Sequence, residues 1–368
     1  MVAAIGRRWF WCAVLTAILL GIAFRVVHAE RRLFWGDETY TALRVSGHWD
    51  REFRGIFNGS VYSTDQLLAF QRVDPHRPLS DTVDGLAVED PHHPPLFYVI
   101  ERLWAGVAGS SIFSLRAVAV VFGVLAVAAA YWFLIELSGN RLVAGTGAAL
   151  MSVSPFFVNY SGQAREYTLF MLLVSVASAL LLRAARLGSR GLWLGYALAL
   201  AIGLYSDLLM TGVLVSHLVY VLVVFRSNRR VLMAFGSSVA FAIICFAPWT
   251  VIVIHQWNTV SDWMEWVRTP YTPVGILTKW LFNIAAVLFD AEYAMIWLAP
   301  LAVAVLALFA FAIFRLIKSE PFSISFFIVT LGLGATIEQL VNDLLSHAHS
   351  ATIARYMTPL WMAILFSV

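Results

Sequence analysis

Asp37 and Glu38 are adjacent carboxylates in Leu33-Phe34-Trp35-Gly36-Asp37-Glu38-Thr39-Tyr40, set among aromatic residues just after a long apolar run. A carboxylate at such an edge can take a proton from an incoming hydroxyl or amine, the work of a general base. The same pair could instead cap the helix-like run that follows and complement its dipole. Arg165, followed by Glu166 and Tyr167, and Arg355, followed by Tyr356, offer planar guanidinium forks that suit phosphate oxygens. An arginine at a helix end can also simply reach to lipid headgroups. His92 and His93 lie in Asp90-Pro91-His92-His93-Pro94-Pro95, where the prolines impose a stiff, extended entry into the next helix. Adjacent histidines do not easily share one ion from a helix, and no HxxxH or CxxC spacing accompanies them. His347 and His349 add only a loose pair, so no metal ligands are assigned and no cofactor is indicated.

The surroundings of these residues are set by composition. Apolar residues make up 60% of the 368 and charged residues 13%, about half the share of a soluble domain, and the mean hydropathy is +0.78. This is an integral membrane protein. The net charge of +3 is small and scattered, which points away from nucleic acid. Cys12 and Cys245 both sit in apolar runs and read as small hydrophobes, with no disulfide framework.

Ten apolar segments approach the roughly 20 residues needed to cross a bilayer. They lie near residues 9–27, 112–136, 142–158, 167–185, 191–206, 207–225, 231–254, 294–314, 321–340 and 356–368. Helices are expected, because the alternation of barrel strands is absent. The fifth and sixth segments meet at Tyr205-Ser206-Asp207 as a tight hairpin, with Asp207 wetted at its tip. The first segment is read as a retained helix rather than a cleaved signal peptide, since Arg25 interrupts the approach to any cleavage site. If the segments alternate, Arg7, Arg8, Arg141, Arg183, Arg186, Arg190, Arg226, Arg229, Arg230, Arg315 and Lys318 all fall on one side. That side is cytoplasmic by the positive-inside pattern. The opposite side receives the longer polar stretches 28–111, 255–293 and 341–355. The first holds twelve of the 22 Asp and Glu residues, so it concentrates the acid–base groups. Its patches Ile56-Phe57 and Leu67-Leu68-Ala69-Phe70 are expected to form short amphipathic helices at the membrane surface. Trp249, Trp257, Trp263 and Trp266 read first as an interfacial aromatic belt.

Taken in order, these words resemble the polyprenyl-phosphate-dependent membrane glycosyltransferases of the GT-C class. The likeness is to the bacterial family 39-like proteins, relatives of the protein O-mannosyltransferases and of the lipid A aminoarabinose transferase. It is carried by Gly36-Asp37-Glu38-Thr39-Tyr40 and His93-Pro94-Pro95-Leu96, then by Ser154-Pro155-Phe156 and Gln163-Ala164-Arg165-Glu166-Tyr167-Thr168-Leu169-Phe170. Phe246-Ala247-Pro248-Trp249 and Arg355-Tyr356-Met357-Thr358-Pro359 extend it over nearly the whole chain.

The resemblance implies an all-α polytopic membrane protein. Residues 1–368 form one transmembrane domain, a GT-C-like bundle with the long outer loop 28–111, and the chain ends before the family's usual C-terminal portion. It implies an inverting sugar transfer from a polyprenyl-phosphate donor to a glycan, lipid or protein acceptor, at the outer face of a bacterial inner membrane. Asp37 maps to the catalytic base, with Glu38 beside it, and Arg165 and Arg355 to the holders of the lipid phosphate. Tyr356, His92, His93, Glu166 and Tyr167 complete the expected substrate site. A transporter would show internal repeats and midplane charges, which are not evident. A non-catalytic lipid-carrier-binding protein would keep the fold without the chemistry.

Overall fold

The computed structural model describes residues 2–268, 272–289 and 296–368, and every regular element among them is helical. In chain order the α-helices are α1 (Val2–Arg31), α2 (Gly36–Ser46), α3 (Asp50–Gly55), α4 (Thr64–Leu68), α5 (Leu79–Glu89) and α6 (Leu96–Ala108). Next come α7 (Ile112–Ser138), α8 (Arg141–Val153), α9 (Pro155–Ser161), α10 (Tyr167–Leu187), α11 (Arg190–Ser206) and α12 (Met210–Val224). The last are α13 (Arg229–His255), α14 (Trp257–Trp263), α15 (Pro273–Ala285), α16 (Ala299–Ser319), α17 (Phe322–Ser346) and α18 (Thr358–Phe366).

Each of the ten expected apolar segments contains helix, but 142–158, read as one span, breaks at Ser154 and 207–225 opens on a turn; the start of the segment near 294–314 lies outside the described residues. Six helices are long and apolar enough to cross a membrane, or seven if the bent pair α8–α9 counts as one span. The chain is a multi-pass membrane protein. Helix α10 packs against α7 and α11, α12 against α17, and α1 against α8, so α1 is a member of the bundle. The arginines that define the positive side lie at the helix ends opposite those that carry the polar loops.

The α8–α9 break is explained by one residue. Pro155 has no N–H to donate and holds Ser154 extended, and the axis turns by 58°. Carbonyls near the break need a donor where water is scarce. Arg25, buried in α1, supplies it by donating to Ser152 O at 2.5 Å and Met151 O at 3.3 Å. The turned α9 then brings residues 162–166 beneath the outer loop.

That loop is a layer of helices rather than a connector. Buried arginines staple it: Arg44 pairs with Glu89 at 2.5 Å, and Arg102 donates to Val45 O at 2.7 Å and Arg77 O at 2.6 Å. Gly47 ends α2 at φ 88°, and a Cβ there would sit 2.7 Å from Arg102 Nη1, so both backbone and space require glycine. Helices α3 and α4 contain no buried residue; Leu67-Leu68-Ala69-Phe70 is helical as expected, whereas Ile56-Phe57 falls in the turn after α3, with Phe57 exposed.

The outer stretch 255–293 differs from its reading as a polar loop. Within it α15 is apolar, and the residues just after it dock on the α8–α9 break. Ser154 Oγ donates to Val287 O at 2.5 Å and Phe156 N–H to Ala286 O at 3.2 Å. Residues 269–271 and 290–293 of that stretch lie outside the described residues.

Candidate active site

Glu38 is the first residue whose position separates it from its neighbour. Its side chain is wholly buried and forked onto Arg116 of α7, with Arg116 Nε and Nη2 each 2.7 Å from a carboxylate oxygen. It also accepts from Ala164 N–H at 2.9 Å and, at the start of α2, from Trp35 N–H at 3.4 Å. Arg116 spends its remaining donors on the carbonyls of Ala29 in the last turn of α1 and of Arg32 and Leu33 just after it. This one pair therefore locks three elements together: α1, the first turn of α2 and the loop before α10. Glu38 is absent from the cavity wall. It caps, as the alternative reading of the pair allowed, and it positions its neighbour.

Asp37 points the other way. It lines a cavity of about 750 Å³ together with Arg165, Glu166, Tyr167, Arg355, Tyr356, His92 and His93. Every expected site residue except Glu38 is thus on one wall system. Arg355 Nη2 lies 3.6 Å from Asp37 Oδ2, and the Tyr167 hydroxyl donates to the same oxygen at 3.5 Å. Arg355 is enclosed by the rings of Tyr356, Trp266 and Trp35 at 5.2, 5.6 and 5.8 Å. Arg165 donates to Thr41 Oγ1 at 3.2 Å, to the Asp37 carbonyl at 3.4 Å and to Glu166 Oε1 at 3.0 Å. Its guanidinium lies against the His93 ring, whose Nδ1 is 3.1 Å from Glu166 Oε1.

The electrostatics follow from burial and these partners. Burial alone would raise the Glu166 carboxyl, but Arg165 and His93 beside it hold it down at about 2. Burial works against the charge on Arg165, and Glu166 restores it, so its pKa lies above the usual arginine value. Burial keeps the His93 imidazole below its usual value, with His92 and Arg165 adding to the effect. Behind the wall, Glu101 of α6 is buried with both oxygens lacking a hydrogen-bond partner, and burial pushes its carboxyl far above the ordinary range.

Asp90, His92 and His93 place one ligand atom each within 4.8 Å of one another, the one such His/Cys/carboxylate group among the described residues. Asp90 Oδ1 and His92 Nδ1 face each other at 3.0 Å, yet both are buried without a hydrogen bond. Two imidazoles and a carboxylate form a donor set that could hold a divalent cation. The sequence spacing concealed it because the third ligand, Asp90, reaches the pair only through the proline-stiffened turn. His347 and His349 do not join it; His347 caps α17 in the left-handed region at φ 51°.

Several tryptophans also serve the site beyond any interfacial belt. Trp249 Nε1 donates to Pro91 O at 3.1 Å and Trp263 Nε1 to Glu89 O at 2.6 Å, so both hold the Asp90–Pro95 strap. Trp257, Trp263 and Trp266 line the cavity. Asp207, expected to be wetted at a hairpin tip, instead faces this cavity from the α11–α12 turn. Its Oδ1 accepts from Leu209 N–H at 3.0 Å, and burial together with Glu166 pushes its carboxyl up to about 8. The reading of the sequence passed over Glu338, Gln339 and Asn342 of α17, which also line the cavity. Their signal was a carboxylate and two amides on the outer part of an apolar span, which marks function by default.

Residues 92–252 match the sequence family described as dolichyl-phosphate-mannose-protein mannosyltransferase. No curated protein sequence matches the chain. Among solved structures, the chain is similar to the archaeal oligosaccharyltransferase AglB from Archaeoglobus fulgidus in complex with an inhibitory peptide and a dolichol-phosphate. The TM-score is 0.57 at 12% identity, over 98% of this chain and 50% of that one. The apo form of the Archaeoglobus fulgidus oligosaccharyltransferase matches with a TM-score of 0.55 at 12% identity, over 97% and 50%. ArnT from Cupriavidus metallidurans bound to undecaprenyl phosphate matches with a TM-score of 0.43 at 12% identity, over 96% and 76%. The chain spans about half the length of the oligosaccharyltransferases it matches. The chain therefore shares the fold of the archaeal oligosaccharyltransferase, and its residues 92–252 match the family described as dolichyl-phosphate-mannose-protein mannosyltransferase.

Proposed function

We propose that the chain transfers a sugar from a polyprenyl-phosphate donor to an acceptor hydroxyl or amine at the non-cytoplasmic face of a bacterial inner membrane, with inversion at the anomeric carbon. The observation that carries this reading is the meeting of Asp37 with Arg165 and Arg355 in one cavity at the loop-bearing end of the bundle. In the reaction the acceptor atom attacks C1 as the C1–O bond to phosphate breaks. Asp37 takes the acceptor's proton, and the bond's electron pair leaves on polyprenyl phosphate. Arg355 and Arg165 offer fixed positive charge to that leaving group in a site walled by apolar and aromatic side chains, where such charge acts most strongly. Tyr167 and Arg355 orient Asp37, while Glu38 and Arg116 fix the backbone that carries it. His93 and Glu166 hold Arg165 from behind.

A transporter would move the sugar without consuming its lipid carrier, and a binding protein would do neither. Purified protein reconstituted in sealed vesicles with a polyprenyl-phosphate sugar and a panel of peptide, glycan and lipid acceptors separates the three. Release of free polyprenyl phosphate with a glycosylated acceptor of inverted configuration supports the proposal. Sugar uptake with an intact donor would overturn it.

A further inference from the structure

The cavity has a second polar wall that the proposed chemistry leaves idle. It is built by Asp207 of the α11–α12 turn and by Glu338 and Gln339 of α17, well away in sequence from the strap and the α2 start. Glu338 sits eight residues inside the outer end of its membrane helix. One of its oxygens accepts from the Thr211 hydroxyl, while Oε2 is buried against the Gly212 backbone of α12. Gln339 is only 7% exposed, lines the cavity, and has no hydrogen bond among the described residues. Polar groups in a membrane helix are costly unless something pairs with them. The idle Gln339 amide, with the Asp207 and Glu338 carboxyls on the same wall, calls for a ligand rich in hydrogen-bond donors. A prenyl chain has none.

We infer that Asp207, Glu338 and Gln339 form the subsite that reads the donor's glycosyl group, taking a sugar whose ring hydroxyls or amine donate hydrogen bonds and rejecting one that bears a carboxylate. This rests on the glycosyltransferase reading above. The cavity's cations do not offset a sugar carboxylate, because Arg165 and Arg355 already face Glu166, Asp37 and the lipid phosphate. A uronic acid would bring a further negative charge into a wall where burial and the ionised Glu166 already push the Asp207 carboxyl up.

Binding tests it directly. The full chain in nanodiscs is titrated with polyprenyl phosphate and with its hexosyl, amino-hexosyl and uronosyl derivatives, and affinity is read from quenching of the cavity tryptophans. The parent should bind the hexosyl or amino-hexosyl lipid at least roughly tenfold more tightly than the uronosyl lipid, the worth of one charge-assisted hydrogen bond. Gln339→Leu removes a side chain with no internal partner, so folding is preserved. It should weaken the sugar-bearing lipid by roughly tenfold and leave bare polyprenyl phosphate unchanged. Glu338→Gln should weaken both sugar-bearing lipids and leave bare polyprenyl phosphate unchanged. Equal binding of hexosyl and uronosyl lipids, or equal loss for bare and sugar-bearing lipid in Gln339→Leu, would overturn the subsite alone. A parent that fails to bind bare polyprenyl phosphate would overturn the glycosyltransferase reading and the subsite with it.

Discussion

Replacing Arg116 by methionine removes five hydrogen bonds at once: two to Glu38 at 2.7 Å and three to the carbonyls of Ala29, Arg32 and Leu33 at 2.8–2.9 Å. Both side chains of the pair are 0% exposed, so no solvent screens the loss. Glu38 would keep only the N–H groups of Ala164 and Trp35. Breaking one partner of a buried pair costs about 3–5 kcal/mol, mostly because the surviving charge is stranded. For the detergent-solubilised protein this should lower the melting temperature on the order of 5–10 °C. The double variant Glu38→Met/Arg116→Met strands no charge, and its loss should be well below the sum of the two single losses. Thermal unfolding of the parent, both singles and the double measures the coupling. Release of polyprenyl phosphate, assayed at a temperature where each variant is folded, reports whether Asp37 is still held. An Arg116→Met variant that melts with the parent, or losses that simply add, would refute the role given to this pair.

Other outcomes follow from the same geometry. Arg165→Lys and Arg355→Lys keep the charge but lose the planar fork. Each should weaken polyprenyl phosphate binding roughly 10- to 100-fold, from about 1.5–3 kcal/mol per charge-assisted contact, measured by tryptophan quenching. Glu101 is neutral in the folded chain because burial raises its carboxyl, whereas the unfolded chain ionises near the ordinary glutamate value. Its contribution is therefore fully favourable below about pH 4.3 and falls by about 1.4 kcal/mol per pH unit above it until the raised folded value is reached. Glu101→Leu should raise the melting temperature at pH 7.5 and do little at pH 4.5. Zinc titrated calorimetrically into metal-stripped protein should bind at one site, with His92→Ala or Asp90→Ala weakening it at least roughly tenfold.

Much of the architecture was legible because membrane helices must satisfy their own backbones, so apolar runs translate directly into elements. The α8–α9 break at Ser154-Pro155 was not read, because the stretch is apolar on both sides and so reads as one span over 142–158. The stretch containing α15 was harder to read, since Lys279, Asn283 and Pro273 lower its polarity contrast with the flanking loops although Ile276, Leu277, Trp280, Leu281 and Phe282 are apolar. The convergence of Asp37, Arg165 and Arg355 on one cavity was legible because residue type and topology agreed. The site was illegible where meaning depends on which way a side chain points. Asp37 and Glu38 are neighbours in sequence, but one faces the cavity and the other the buried Arg116. Trp263 could be placed at an interface by pattern, yet its bond to the Glu89 carbonyl is a long-range event that no local pattern encodes. Glu338 and Gln339 were hidden by the strong apolar average of α17.

The role of Asp37 is tested most directly by the single-turnover rate of polyprenyl phosphate release from a bound polyprenyl-phosphate sugar, compared between the parent and Asp37→Asn. The variant should bind the donor as the parent does and react roughly 10²–10⁴-fold more slowly, the usual worth of a general base. Release at the parent's rate by the asparagine variant, with equal donor occupancy, would contradict the assignment of Asp37 as the base.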